Sequence, residues 1–194
     1  TAWTQVESNT KVTRAENHTL YARWTANTYT VKFNKNDEDA TWTMSDQTFT
    51  YNEPNKALTA NEFSKVGYTF AGWAKSTDGV VVYTNGQLVQ NLTADPNGVV
   101  NLYAKWTINS HTVTYDMNGH GTQVPSDTVN YGESIPQPEV TAEWYTFMWW
   151  TLANGDPVPA TMPDGDVELK AQWKAHAVYG PFYLSPDKQG LPFK

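Results

Sequence analysis

The sequence predicts a β-dominated α+β fold made of tandem small repeats, each a mixed sheet with at most one short helix, arranged end to end. Composition is the first reason. The 194 residues include 26 threonines and 9 tryptophans, which favour strands, whereas the helix formers leucine and glutamate are few. Self-similarity is the second reason, because several motifs recur along the chain in the same order. Such recurrence is typical of repeat architectures.

Charge and cysteine content exclude several classes of protein. The net charge is −7, which offers no electrostatic attraction to nucleic acid or to an anionic membrane. There is no cysteine, so disulfide frameworks and thiolate metal sites are impossible. No apolar run approaches the roughly 18 residues of a membrane helix, and we expect no membrane insertion by this segment.

A closing motif sets the repeat boundaries. Leu-Tyr-Ala-Arg-Trp-Thr at residues 20–25 returns as Leu-Tyr-Ala-Lys-Trp-Thr at 102–107, and more loosely at 169–174. Residues 1–25 are therefore interpreted as the end of a truncated repeat, and residues 175–194 as an extended tail or the start of another domain. The first repeat is expected at 26–107 and the second at 108–174, with contacts between neighbouring repeats.

Alternation of apolar and polar residues predicts the strands. Near the start of the first repeat, Tyr29, Val31 and Phe33 are expected to point into a core. In the second repeat the equivalent face is expected to hold His111, Val113, Tyr115 and Met117. Further strands are predicted at 48–51 and 68–70.

Two other elements complete the predicted repeat. Residues 55–63, which follow Pro54, could form a short helix. The closing strand is expected to bury its tryptophans, Trp24, Trp106 and Trp173, because a small unit without disulfide or metal needs large aromatic side chains in its core.

No residues converge on a catalytic, cofactor or metal site. The histidines are scattered, and the acidic clusters at 37–39 and 164–166 lack the ligand series of a calcium loop. We therefore predict no enzyme activity and no cofactor.

One aromatic row exceeds what a single sheet face can bury. By alternation, Tyr145, Phe147 and Trp149 would share one face of a strand. The other face would then hold Trp144, Met148 and Trp150. This second row either packs against another part of the chain or forms a platform that binds a sugar or a protein.

The motifs together resemble the Listeria–Bacteroides repeat, also called the internalin B-repeat, of bacterial surface proteins. The phrases that carry the resemblance lie at residues 29–33, 67–73, 102–106, 111–119 and 129–133. The resemblance implies a β-grasp-like unit, secretion and a place on the cell envelope, without catalysis. This sequence departs from the family pattern where Trp144 and Trp149 replace the glycines found at Gly67 and Gly72.

We expect a non-catalytic repeat region of a bacterial cell-surface protein, extracellular, acting as a spacer or stalk and in adhesion. Its partner would be a surface protein or glycan of a host or a neighbouring cell. Two alternatives stay open: a glycan- or protein-binding module that uses the aromatic row, and an accessory region of an exported enzyme.

Overall fold

The structure is a computed structural model that describes residues 5–13 and 15–177. Within these residues the chain forms strands and loops and no helix. The strands are β1 Thr28–Asn34, β2 Gln47–Thr50, β3 Lys56–Ala57, β4 Tyr68–Ala74, β5 Leu88–Val89, β6 Gly98–Ile108, β7 Ser110–Asp116, β8 Asp127–Asn130, β9 Tyr145–Leu152 and β10 Val167–Ala175.

Each repeat contains one mixed four-stranded sheet. The first has the order β2-β1-β6-β4 and the second the matching order β8-β7-β10-β9, while β3 and β5 form a small separate ribbon. In both sheets the first and last strands of the repeat pair in parallel, and the outer pairs are antiparallel. Because these two strands run in the same direction, the chain enters each sheet at one end and leaves it at the other.

Each sheet has its own hydrophobic core, on the face that the sequence predicts. Tyr29, Val31 and Phe33 are buried, as are Val113 and Tyr115 in the second repeat. The expected β-dominated, mixed-sheet fold is therefore confirmed. The first core also contains Phe49, Leu58, Phe63, Trp73, Val89, Leu102 and Ala104, and the second Met117, Val129, Ile135, Trp150, Met162, Val167, Leu169 and Ala171.

The short helix predicted at 55–63 is wrong. Lys56 and Ala57 are extended and pair with β5. The side-chain amide of Gln47 holds this conformation, because its nitrogen donates to the Ala57 carbonyl at 2.8 Å and its oxygen accepts from the Thr59 amide at 2.8 Å. Leu58 enters the core from this extended segment.

The closing tryptophans differ in their burial. Trp106 and Trp173 are partly buried against the two cores. Their indole nitrogens donate to the carbonyls of Lys35 and Met117 at 3.0 and 2.9 Å. Trp24 contradicts the prediction, since it is 91% exposed and lies outside any strand. A closing strand needs neighbouring strands of its own repeat, and the described chain provides none for residues 20–25.

The two most deeply buried tryptophans of the described chain offer a matched test of one hydrogen bond. Trp73 and Trp150 occupy equivalent places, but Trp150 Nε1 donates to the Pro138 carbonyl at 2.8 Å. Among the described residues Trp73 Nε1 has no such partner. Trp150→Phe should therefore cost about 1 kcal/mol more of unfolding free energy than Trp73→Phe, because it leaves a carbonyl unpaired.

Hydrogen exchange of the strand amides in the full chain measures both losses, each in its own repeat. Trp73→Phe is the control for lost ring volume. Equal losses in the two repeats would contradict the prediction.

Candidate functional site

The junction between the two repeats is a single residue. Strand β6 ends at Ile108 and β7 begins at Ser110, so that only Asn109 lies between them. Its backbone amide donates to the carbonyl of Gly67 in the first repeat at 2.9 Å. Its carbonyl accepts from the amide of Tyr131 in the second repeat at 2.9 Å. The linker is thus fixed to both repeats by main-chain hydrogen bonds.

Side chains extend this junction into a polar network. The Asn109 amide group donates to Asp164 Oδ1 at 2.9 Å, and its oxygen accepts from the Thr69 hydroxyl at 2.7 Å. Asp164 Oδ2 accepts from the Gly67 amide at 3.2 Å, and His111 Nε2 lies 2.9 Å from Asp164 Oδ1. The Asp164 carboxylate therefore bridges the first repeat, the linker and the second repeat.

These hydrogen bonds lower the pKa of Asp164. The Asn109 side chain contributes most, followed by His111; desolvation opposes them, and the Gly67 amide lowers the pKa further. Each of these partners stabilises the ionised form. The network is consequently strongest when Asp164 carries its negative charge.

An aromatic contact completes the junction. Gly67 has a φ of +74°, and the ring of Tyr131 lies directly over it. A Cβ at Gly67 would come within 2.0 Å of Tyr131 Cδ1. The same ring meets the edge of Tyr68, with 6.4 Å between ring centroids. The contact therefore depends on the absence of a side chain at residue 67.

In the structure, the side chains of the predicted aromatic row are divided between the core and the surface of the second repeat. The pairing of β9 with β10 shifts by one residue, because Phe147 pairs with Trp173 and Trp149 with Gln172. Met148 is the extra residue of this β-bulge, and beyond it the faces of β9 exchange. Trp150 is consequently only 4% exposed and belongs to the core. Its grouping with Trp144 and Met148 in the candidate binding platform is therefore wrong.

Three side chains on β9 or next to its start remain at the surface. Trp144 is 62% exposed, Met148 43% and Trp149 55%. Trp149 was expected to face the core with Phe147, and the bulge is again the reason that it does not. We call Trp144, Met148 and Trp149 the exposed aromatic patch.

Several other titratable groups take structural contacts. Lys65 pairs with Asp37, and its hydrogen bond lowers the pKa of that carboxyl. Burial, with a hydrogen bond to Asp127, raises the pKa of Tyr115. His120 stacks on Tyr145.

Neither a metal cluster nor a membrane helix is seen in the described residues. Between residues 5 and 177, leaving out 14, no three His, Asp or Glu side chains come together as metal ligands. The same stretch holds no helix long and apolar enough to cross a membrane.

The fold and the junction define a tandem β-repeat protein, and sequence comparison identifies its family. The profile of the Listeria-Bacteroides repeat domain matches residues 29–105 and 111–172, together well over half of the chain. The chain belongs to this family, as the motifs predicted.

Three relatives share part of their length with this chain. Internalin H of Listeria monocytogenes is 31% identical over 119 residues, which is 57% of this chain and 20% of the relative. A protein of Evansella cellulosilytica, named as an inferred membrane protein, is 31% identical over 126 residues, 62% of this chain and 18% of the relative. A Gly-rich protein of the same organism, also named as an inferred membrane protein, is 34% identical over 87 residues, which is 44% of this chain and 10% of the relative. The chain thus spans a fifth or less of each relative.

Sequence reasoning missed the junction residues. Recurrence offered a signal, because Asn27 and Tyr51 in the first repeat stand where Asn109 and Tyr131 stand in the second. The structure repeats their contact, with the Tyr51 amide donating to the Asn27 carbonyl at 2.7 Å. Asp164 gave no such signal, since its partners are distant in sequence.

Acid should loosen the junction. The pKa of Asp164 is lower in the folded chain than the ordinary value of about 4. Its contribution is therefore complete above that ordinary value and is lost as the pH falls through the lowered folded value. The amide NMR signals of Gly67 and Asn109 should shift in that acidic range.

In a pH titration, the shift of the Gly67 and Asn109 amide signals appears as a step. Asp164→Asn should remove this step, because an amide cannot ionise. Asp156→Asn, in a turn of the second repeat, is the control and should leave the step unchanged. A step that persists in Asp164→Asn would assign the titration to another group.

Proposed function

We propose that the chain is a non-catalytic repeat region of a bacterial cell-surface protein, in which β-grasp-like units form an elongated extracellular spacer that supports adhesion. Family membership supports this proposal. So does the similarity to Internalin H and to two proteins named as inferred membrane proteins. In this role the repeats would hold another part of the protein away from the envelope.

The junction is the observation that carries the proposal. A spacer must keep a fixed angle between its units, and a flexible linker would let them fold back on one another. Here the one-residue linker is held by main-chain hydrogen bonds on both sides, and Asp164 connects the same residue to the second repeat. Because the first and last strands are parallel, the next repeat begins at the far end of the previous sheet.

The angle between the repeats should therefore be fixed. The chain has no cysteine, so spin labels attached at Val80→Cys and Asn154→Cys, both exposed, report one distance between the repeats. We expect a single narrow distance distribution. Inserting Gly-Gly-Ser after Asn109 should broaden it, because the insertion separates the hydrogen bonds on the two sides of the linker.

The matched control is the same insertion in the exposed turn at residues 77–78, which should leave the distribution narrow. A broad distribution in the unaltered chain would overturn the spacer proposal.

A second candidate function is capture of a glycan by the exposed aromatic patch. Exposed indole faces stack on sugar rings, and large exposed apolar groups often mark binding surfaces. Trp144 and Trp149 are both more than half exposed. Trp144 lies at the end of the second repeat that corresponds to the junction end of the first, and Trp149 lies further along β9.

For this function, Trp144→Ala should abolish glycan capture on an array while changing the free energy of unfolding by less than about 1 kcal/mol. Trp42→Ala is the control, because Trp42 is an exposed tryptophan of the first repeat and should be dispensable. If the unaltered chain captures no glycan, this second candidate is wrong.

A further inference from the structure

The same backbone turn precedes β4 in the first repeat and β9 in the second, but one of its side chains differs. In the first repeat Lys65 bridges to Tyr68, and Gly67 between them has a φ of +74°. In the second repeat Ala142 bridges to Tyr145, and Trp144 has a φ of +68°. Trp144 therefore adopts the left-handed conformation of its glycine counterpart, which a bulky residue rarely does.

The contacts around this turn are also the same in both repeats. The Gly67 carbonyl accepts from the amide of Asn109, and the Trp144 carbonyl accepts from the amide of His176 at 2.8 Å. The hydroxyl of Thr69 bonds to the Asn109 side chain, and that of Thr146 lies 2.9 Å from His176 Nε2. The second repeat thus builds the backbone that receives a following repeat.

A following repeat would bring a tyrosine to this place. Both repeats hold a tyrosine by its backbone amide at the same point, Tyr51 on Asn27 and Tyr131 on Asn109. At Gly67 an added Cβ would lie 2.0, 2.2 and 2.4 Å from the Cδ1, Cγ and Cε1 atoms of Tyr131. Carbon atoms that are not bonded rest about 3.5–4.0 Å apart. A side chain at this position and a docked tyrosine ring therefore exclude each other.

The tyrosine cannot avoid the overlap cheaply. Its backbone is fixed on one side by the Asn109 carbonyl, and the next residue, Gly132, donates to the Met162 carbonyl at 2.9 Å. The ring could only rotate away from residue 67, and it would then lose its edge contact with Tyr68.

We propose that the residue at this turn decides whether another repeat can dock, and that Trp144 closes the second repeat to a copy of the same unit. Gly67 leaves space for the tyrosine ring of the next repeat. At the equivalent position, Trp144 occupies that space with its own Cβ and indole. The inference depends on the junction geometry and not on the proposed spacer role.

The first test places a tryptophan at the existing junction between the two repeats. In the full chain, Gly67→Trp should separate the repeats, so that their residual dipolar couplings no longer fit one alignment tensor. Gly86→Trp is the matched control. Gly86 has a φ of +66° and nothing within 4 Å of an added Cβ, so it carries the same backbone strain without a docking partner. Its repeats should keep one shared tensor.

The second test removes the side chain at residue 144 and supplies a further repeat that could dock there. A further copy of residues 109–175 is inserted after Ala175 in the full chain, which restores the Asn109 linker. With Trp144 the inserted repeat should align independently of its neighbour. With Trp144→Gly it should share the neighbour's alignment tensor, as the second repeat shares that of the first.

Hydrogen exchange in each variant confirms that every repeat is folded. Two results would overturn the proposal: a shared tensor in the Gly67→Trp chain, or the same degree of coupling for the inserted repeat with tryptophan and with glycine at 144.

Discussion

Parallel pairing between the first and last strands of each repeat is the constraint on which the rest of the molecule depends. It places β1 beside β6 and β7 beside β10 at the centre of each sheet, where both strands can be buried. It also sends the chain through the repeat from one end to the other. An antiparallel pair would return the chain to the end at which it entered, and a one-residue junction between successive sheets would then be impossible.

The sequence predicted what depends on local periodicity. The inward faces of β1 and β7 followed from strict alternation, and Tyr29, Val31, Val113 and Tyr115 are buried as expected. The pattern failed where distant partners decide the conformation. Residues 55–63 have the composition of a short helix, but the Gln47 side chain and strand β5 hold them extended.

The aromatic row shows how one extra residue defeats an alternation argument. Both repeats carry a bulge at the same place, at Ala71 in the first and Met148 in the second. Beyond the bulge every side chain changes face, so Trp150 is buried like Trp73. Comparison of the two repeats, rather than alternation within one of them, contained this information. The contacts of Asp164 at the junction were beyond both approaches, because Asp164 meets Gly67 and Asn109 only after each sheet has formed.

Central parallel pairing has a further consequence for the order in which the chain acquires structure. Tyr29 pairs with Gly98, and Val113 with Val167, so the middle of each sheet joins residues from the two ends of a repeat. Contacts of such high sequence separation slow folding, since a long loop must close before they form. A nascent chain therefore stays without its central pairing until the last strand of the repeat has emerged from the ribosome. Each repeat then completes its sheet as a unit, behind the one made before it.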